Sequence, residues 1–435
     1  MEADQHNSRI FHLVVETRDP EHERYAVSVT TKGFRTDPEE IAFRPDGDFE
    51  DKVLRIHERD EKRRIQDFDL LERTCSAVGE SLFRYLLTDA ARQQLQAYRE
   101  SVPTTRIALH LPRRLYRFPW ELLRDPADPQ GRFLSVQGSV IRYDGESQSP
   151  GDTLFQPQKP PIEFLFVLAS PEEQPIGQFE PLEKTWVKFS SVQPPTYDNF
   201  ERSLLRNPER YYGMVFFGHG EVEDQHGSLI FVREQRRRTF RSFVRDPKHG
   251  HVICDCLGDR NAMRLACIFA CESAWADHGL PFEQSVVGSL ISRTWLAFVI
   301  GAQTGIDRFA AQEFLDAALD ALEQGVSLDL ALACGRRAIR GIDHRESSRK
   351  HSRLDWWIPV LYSTTDNFEI LPEESRDILP HTWTKEGTLP KEMSPLPRSP
   401  SGLRALWQAF LRTLTGPISP ERESVREMLA RKEKL

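Results

Sequence analysis

The 435-residue sequence has no uninterrupted apolar run of about 18 residues, the length a helix needs to cross a bilayer. It also lacks a G-x-x-x-x-G-K-[ST] phosphate loop, a G-x-G-x-x-G turn after a strand, a G-x-S-x-G elbow and an H-E-x-x-H pair. Those absences remove the commonest nucleotide-binding, serine-hydrolase and zinc-protease classes. Cysteine is sparse, six residues at 75, 254, 256, 267, 271 and 334, which is no disulfide framework in a chain this long. Five of them fall in segments that read as apolar or regular structure, as reduced, buried thiols do. Charge of one sign is not in large excess: 58 basic against 66 acidic side chains leave −8. Overall charge thus gives no footprint for nucleic acid or an anionic membrane. The opening MEADQHNSRI lacks the basic-then-apolar order of a secretory signal, so a cytoplasmic location is expected. No internal repeat of 20–50 residues is visible.

What is present is ample core material, 39% hydrophobic residues with 26 Phe and 8 Trp. At roughly 100–200 residues per domain, the length allows two or three domains or one large one with appendages. Residues 10–50 read as short strands, FHLVVE and YAVSVT, with Gly33 and Pro45-Asp46-Gly47 as turns. From about Asp51 to Glu100 the pattern is helical, with Leu71, Cys75, Val78, Leu82 and Leu86 forming one apolar stripe. RIALHLP returns to strand, FPWELLRD and GSVIRYD follow, and the Pro-containing stretch 147–161 reads as an exposed connection or a hinge between two halves. From Ile162 onward, continuous apolar runs (FLFVLA, MVFFG, LACIFA, WLAFVIG, WIPVLY) alternate with helix-like segments that open near Asp307 and Ser327. Buried strands alternating with helices predict an α/β domain with a largely parallel sheet. Residues 373–400 read as a Pro-rich linker and 401–435 as a helical tail with one apolar face.

The chemistry collects at two strand ends. MVFFG-His219-Gly220 places an imidazole directly after one buried strand, and LACIFA-Cys271 places a thiol directly after another. In an open parallel sheet, ligands and reacting groups gather outside the carboxyl ends of the strands. The interval is 271 − 219 = 52 residues, His first; in caspases the His likewise lies about 50 residues upstream of the nucleophile. A thiol with a pKa near ~8.5 attacks poorly at neutral pH unless an imidazole takes its proton. Two backbone N–H donors must then meet the oxyanion. Gly220 suits one, because without a Cβ its amide can approach a substrate closely, and the amide of Cys271 suits the other. Taken singly, a His beside a glycine reads equally as a turn residue and a strand-end Cys as inert packing. Order, spacing and strand context together favour the catalytic reading.

On these residues the chain resembles the CHAT domains, caspase-like domains of bacterial proteins that are also related to separase. The likeness rests on VFFGHG, on the strand ending in ACESA, on GSLIF and VICDCLGD between them, and on VIGAQTGIDRFAAQEFLDAAL with SLDLALACGRRAI after them. LHLPRRLYRFPWELLRD with FLSVQGSVIRYD, and the closing DWWIPVLY, extend it over the first half and to the end of the domain. Phe269 departs from the small polar residue common before the Ala-Cys pair. The resemblance implies a caspase-like α/β fold, with 1–150 the N-terminal portion of the CHAT region, an α+β pseudo-half, and 162–372 the catalytic core. It implies a regulated cysteine endopeptidase making limited cuts in a protein substrate, in bacterial defence or cell-death signalling. His219 would be the general base, Cys271 the nucleophile, and the Gly220 and Cys271 amides the oxyanion hole, with no cofactor. The competing class is a silent scaffold that keeps the fold to bind protein.

Glu172 and Glu173, in the loop SPEEQP after the first core strand, are candidates to meet a basic side chain at the cleavage position; Asp255 and Asp307 are weaker ones. His249, His251, Cys254 and Cys256 have the spacing H-x-H-x-x-C-x-C, which matches no common zinc site, so no metal is expected. The tail helix is expected to pack on the body or to dock a regulatory protein partner.

Overall fold

The computed structural model describes residues 10–372, except 32–33, 63–67, 103, 144–156, 170–185, 224, 238–239, 259–261, 272, 275–280 and 342–351. Glu172, Glu173, the linker 373–400 and the tail 401–435 lie outside the described residues. In the first half β1 (Phe11–Asp19), β2 (Arg24–Thr31), β3 (Phe34–Arg35) and β4 (Glu39–Ala42) precede helices α1 (Gly47–Lys62), α2 (Phe68–Leu86) and α3 (Asp89–Ser101). Then come β5 (Arg106–His110), the short helix α4 (Leu134–Gln137) and β6 (Ser139–Tyr143). The second half runs β7 (Ile162–Ala169), β8 (Val187–Ser191), α5 (Tyr197–Arg206), β9 (Gly213–Gly218), β10 (Gly220–Glu223), β11 (His226–Arg237) and β12 (Phe240–His249). It continues with α6 (Gly250–Leu257), β13 (Leu265–Phe269), α7 (Val286–Arg293), β14 (Phe298–Ala302), α8 (Arg308–Glu323), α9 (Leu328–Arg340) and β15 (Pro359–Ser363).

The fold is mixed α/β, and its strands form one large, mostly parallel sheet with a separate three-stranded sheet, β10-β11-β12. The large sheet has the order β3-β2-β1-β5-β6-β15-β14-β13-β9-β7-β8, with β4 on β2. β7, β8, β9, β13 and β14 run parallel to one another, whereas β15 runs antiparallel to β14 and parallel to β6. One sheet therefore passes through both halves of the chain, and its direction reverses at β14–β15 and again from β1 to β2. The apolar strand runs suit burial on both faces: β13, β14 and β15 are buried at every position. The predicted stripe on α2 is likewise buried, from Leu71 to Leu86. The Pro45-Asp46-Gly47 turn differs from expectation: Asp46 accepts the Phe49 N–H at 2.7 Å, so this segment caps α1, which starts four residues before Asp51. Among the described residues no helix is long and apolar enough to cross a membrane.

A buried polar network ties the halves together. Arg142 on β6 and Glu121 are both wholly buried and form an ion pair. Arg142 also donates to the carbonyls of Tyr116 (2.7 Å) and Phe118 (3.1 Å) and to Gln303 Oε1 (2.9 Å). Gln303, directly after β14, donates to Glu121 Oε2 at 2.9 Å and to the Trp357 carbonyl at 3.2 Å. Every strong donor and acceptor in this set has a partner, which is the condition for burying charge. The Pro119-Trp120-Glu121 segment is thus a structural bolt holding β6, β14 and the approach to β15. Removing one side of a buried pair strands the other, so Glu121→Ala is expected to lower stability by about 3–5 kcal/mol, read as a shifted urea midpoint.

A second polar cluster joins β1, β5 and β6. His12 Nδ1 lies 3.0 Å from His110 Nε2, and the His110 ring stacks on Tyr143 at 4.6 Å. The Tyr143 hydroxyl bonds the Thr365 carbonyl and the Asp366 carboxylate. Burial, then the neighbouring His12, push the His110 pKa from 6.5 down to about 4, with Asp366 opposing. Burial also lowers that of His12, again against Asp366. The unfolded chain then binds more protons than the folded one between pH 6.5 and about 4. Stability should fall as pH drops through that window, by at most about 3 kcal/mol from His110. His110→Phe should flatten that part of a stability–pH curve.

Candidate active site

β9 and β13 are adjacent and parallel, with Phe217 opposite Phe269. Two residues further, past the ends of these strands, the same register leads to His219 and Cys271. The structure thus brings the two sequence-predicted side chains to neighbouring positions on one edge of the sheet. β7 lies on the other side of β9, with Ala169 opposite Gly218. In chain order the strands from β7 to β15 stand 2-1-3-4-5-6, so the strand order reverses between β7 and β9, the crevice where open α/β sheets bind ligands. β7 ends at this crevice with Ala169; Glu172 and Glu173, which follow in sequence, lie outside the described residues.

Gly220 is pressed onto the cysteine. A Cβ built there would stand 2.3 Å from the Cys271 carbonyl oxygen, a backbone atom that cannot rotate away. Only glycine lets the chain after His219 approach this closely. Cys271 is half-buried and His219 exposed. No hydrogen bond joins the His219 imidazole to another side chain among the described residues, an arrangement common in catalytic pairs without substrate. Four of the other thiols differ from Cys271, and Cys256 is half-buried like it. Cys75, Cys254, Cys267 and Cys334 are buried, and burial pushes Cys254 and Cys267 up to about 12 and Cys334 to about 11. Thiols so shifted stay protonated and inert at neutral pH.

Beneath the pair, Phe269 stacks on Phe217 at 4.8 Å and meets Phe314 of α8 edge-on at 5.9 Å. The departure noted at Phe269 is therefore an aromatic floor shared by both strands. The turn carrying Cys271 closes through the Ser273 N–H on the Ala270 carbonyl at 3.2 Å, with Cys271 second of its four residues. Ser273 is 2% exposed. Its hydroxyl donates to the Ile268 carbonyl at 3.2 Å and accepts the Ala302 N–H at 3.0 Å, bridging the ends of β13 and β14. The Val287 N–H in the first turn of α7 holds the Ser273 carbonyl at 3.0 Å. Sequence reasoning passed over Ser273; its only signal was a small hydroxyl two positions after the thiol.

Asp307 serves as the opening residue of α8: its carboxylate accepts the Ala310 N–H at 3.4 Å, and its own N–H is held by Asp355 at 2.6 Å. Asp255 is exposed on α6. The His249 and His251 rings stack at 5.5 Å, and Cys256 points instead to the Tyr197 hydroxyl at 2.6 Å. Among the described residues no group of three or more His, Cys, Asp or Glu is arranged to hold a metal ion.

No protein-family model matches the chain, and no curated protein sequence matches it. Among solved structures, two crystal structures of the Saccharomyces cerevisiae separase–securin complex are similar. One, at 3.0 Å resolution, gives a TM-score of 0.48 at 11% identity, and the other, at 2.6 Å, gives 0.45 at 12%. Each match covers 82% of this chain and 30% of the other, so the chain spans less than a third of that relative's length. Neither likeness carries over an activity or a partner to this chain.

Loss of the Ser273 hydroxyl leaves a buried N–H and a buried carbonyl short of a partner. Ser273→Ala should therefore cost about 1–3 kcal/mol in denaturant unfolding. An unchanged midpoint would show that the hydroxyl does not hold the turn.

Proposed function

We propose that the chain is a caspase-like cysteine endopeptidase of the CHAT type, making limited cuts in a protein substrate. The observation that carries this reading is the contact of the Gly220 backbone with the Cys271 carbonyl at the ends of adjacent parallel strands. It supports a reading in which the histidine and the strand-end thiol act together, with the Gly220 and Cys271 amides as oxyanion donors.

In this mechanism the His219 imidazole takes the proton from Cys271 Sγ, and the sulfur attacks the scissile carbonyl carbon. The Gly220 and Cys271 N–H groups receive the oxyanion. Collapse of the tetrahedral species breaks the C–N bond, His219 passes its proton to the departing amine, and a thioester remains. Water, deprotonated by His219, releases the acid and restores the thiol. Glu172 or Glu173, in the loop leaving β7, would meet a basic side chain on the amino side of the bond. The resemblance to CHAT proteins further suggests a cytoplasmic role in bacterial defence or cell-death signalling, under control of a protein partner.

Cys271→Ala and His219→Ala are each expected to reduce peptide hydrolysis about a thousandfold or more with unchanged thermal unfolding. Mass-spectrometric mapping of new termini in a proteome exposed to wild type and to Cys271→Ala measures this directly. No new termini with the wild type, together with undiminished biological activity of Cys271→Ala, would replace the peptidase by a protein-binding scaffold.

A further inference from the structure

The candidate site runs on into a strand whose outer edge the hydrolytic chemistry does not use. β10 follows His219 directly and is an edge strand of the three-stranded sheet. Its pairing with β11 extends from Gly220–Leu229 to Glu223–His226. The Ile230 N–H donates to the His219 carbonyl at 3.0 Å, which sets the phase of this ladder. Bonded and non-bonded positions alternate along an antiparallel pair. The backbone groups of His219 and Glu221 therefore face β11, whereas the N–H and C=O groups of Gly220 and Val222 face outward. Among the described residues no strand, and no other backbone group, bonds to that edge.

The strand behind this edge is firmly held. Leu229, Ile230 and Phe231 of β11 are wholly buried, and Phe231 packs against Phe216, Phe200 and Tyr197. Gly227 rests on the start of α7, where a Cβ would stand 2.9 Å from the Val286 nitrogen. The two faces of β10 differ, because side chains alternate along a strand. On one face Glu221 pairs with Arg245 of β12 at 2.6 Å. The other is the face on which Gly220 meets the Cys271 carbonyl, and it carries Val222, an apolar side chain left 38% exposed. A strand of four residues is too short for a stable contact between two copies, which needs about 1,200 Å² or more. Continuity with the site names the occupant instead. The Gly220 N–H, assigned to the oxyanion above, is the first outward group of β10, so a scissile carbonyl bound there already lies on the edge. His219, which hands its proton to the departing amine, precedes β10 and sets the strand on the amine side of the bond.

We propose that the outer edge of β10 binds the substrate segment on the amine side of the scissile bond as an added parallel strand, with Val222 as its apolar contact. This rests on the peptidase reading and extends it to how the substrate is held. A parallel ladder continued from the oxyanion contact sets the second residue after the bond opposite Glu221. Its N–H then donates to the Gly220 carbonyl, and its C=O accepts the Val222 N–H. The N–H of the fourth residue reaches the Val222 carbonyl, and that of the third points away. Main-chain bonds supply the affinity in this mode, so the edge accepts varied extended sequences and favours an apolar side chain beside Val222.

The test uses the full chain and two probes. One is a peptide spanning a cut site found by the terminus mapping, with four residues after the bond; the other ends at the bond in an aminocoumarin amide. Val222→Pro removes one outward N–H that the β11 ladder does not use, a change an edge strand tolerates. It should lower kcat/KM for the longer probe about five- to tenfold more than for the shorter one, whereas Val222→Thr, which keeps the N–H, should move that ratio less than about twofold. With the unaltered protein, N-methylation of the second or fourth residue after the bond should slow cleavage of the longer probe, and N-methylation of the third should not. This second measurement holds even where the Pro variant fails to fold. An unchanged ratio with a folded Val222→Pro, or equal effects at the second and third residues, overturns the proposal and leaves the peptidase reading standing. Conversion of a dimer to a monomer by Val222→Pro with that ratio unchanged overturns it in favour of a second copy on the edge. No hydrolysis of either probe by the unaltered protein sinks the peptidase reading, and this proposal with it.

Discussion

The pairing of β9 with β13 is the constraint on which the site depends. Two apolar strands lie parallel and in register, with Phe217 stacked on Phe269 below their ends. Parallel pairing forces both chains to leave the sheet on the same side, so the first polar residues after each strand become neighbours whatever their distance in sequence. The glycine after His219 then closes the remaining gap, because any side chain there would collide with the Cys271 carbonyl. The chemistry of the strand ends follows from packing within the strands.

Around that pair, the protein spends its buried hydrogen bonds on fixing strand ends. Ser273 links the ends of β13 and β14, and Gln303, one residue past β14, is held by Glu121 and the Trp357 carbonyl. Glu121 in turn is paired with Arg142 of β6. A continuous set of buried contacts therefore runs from the first half of the chain to the turn bearing the thiol. The first half of the chain is joined to the second by the same sheet, through the parallel pairing of β6 with β15. Polar groups buried this deeply hold their geometry because each alternative leaves one of them without a partner.

Much of this was legible from residue patterns, and the boundary of legibility has a physical basis. The strands FLFVLA, MVFFG and LACIFA could be read because a strand buried on both faces needs an unbroken apolar run. The α2 stripe could be read because one helical face packs on the core. At Asp46 the Pro-Asp-Gly signal fits a turn as well as a helix cap, and only the contact with the Phe49 N–H separates the two. Glu121, Arg142 and Gln303 could not be grouped from sequence, because they are far apart in the chain and each alone resembles a surface residue.

By itself, the sequence determined the apolar strands at the centre of the sheet, which residues terminate them, and that a histidine and a cysteine are among those terminators. Local periodicity and turn chemistry suffice for that, because they depend on residues within a few positions of one another. Tertiary structure alone decided that β9 and β13 are neighbours, that Gly220 rests on Cys271, and that β11 is anchored to the His219 carbonyl. Those facts depend on strand order and register, which are set by the packing of the complete sheet.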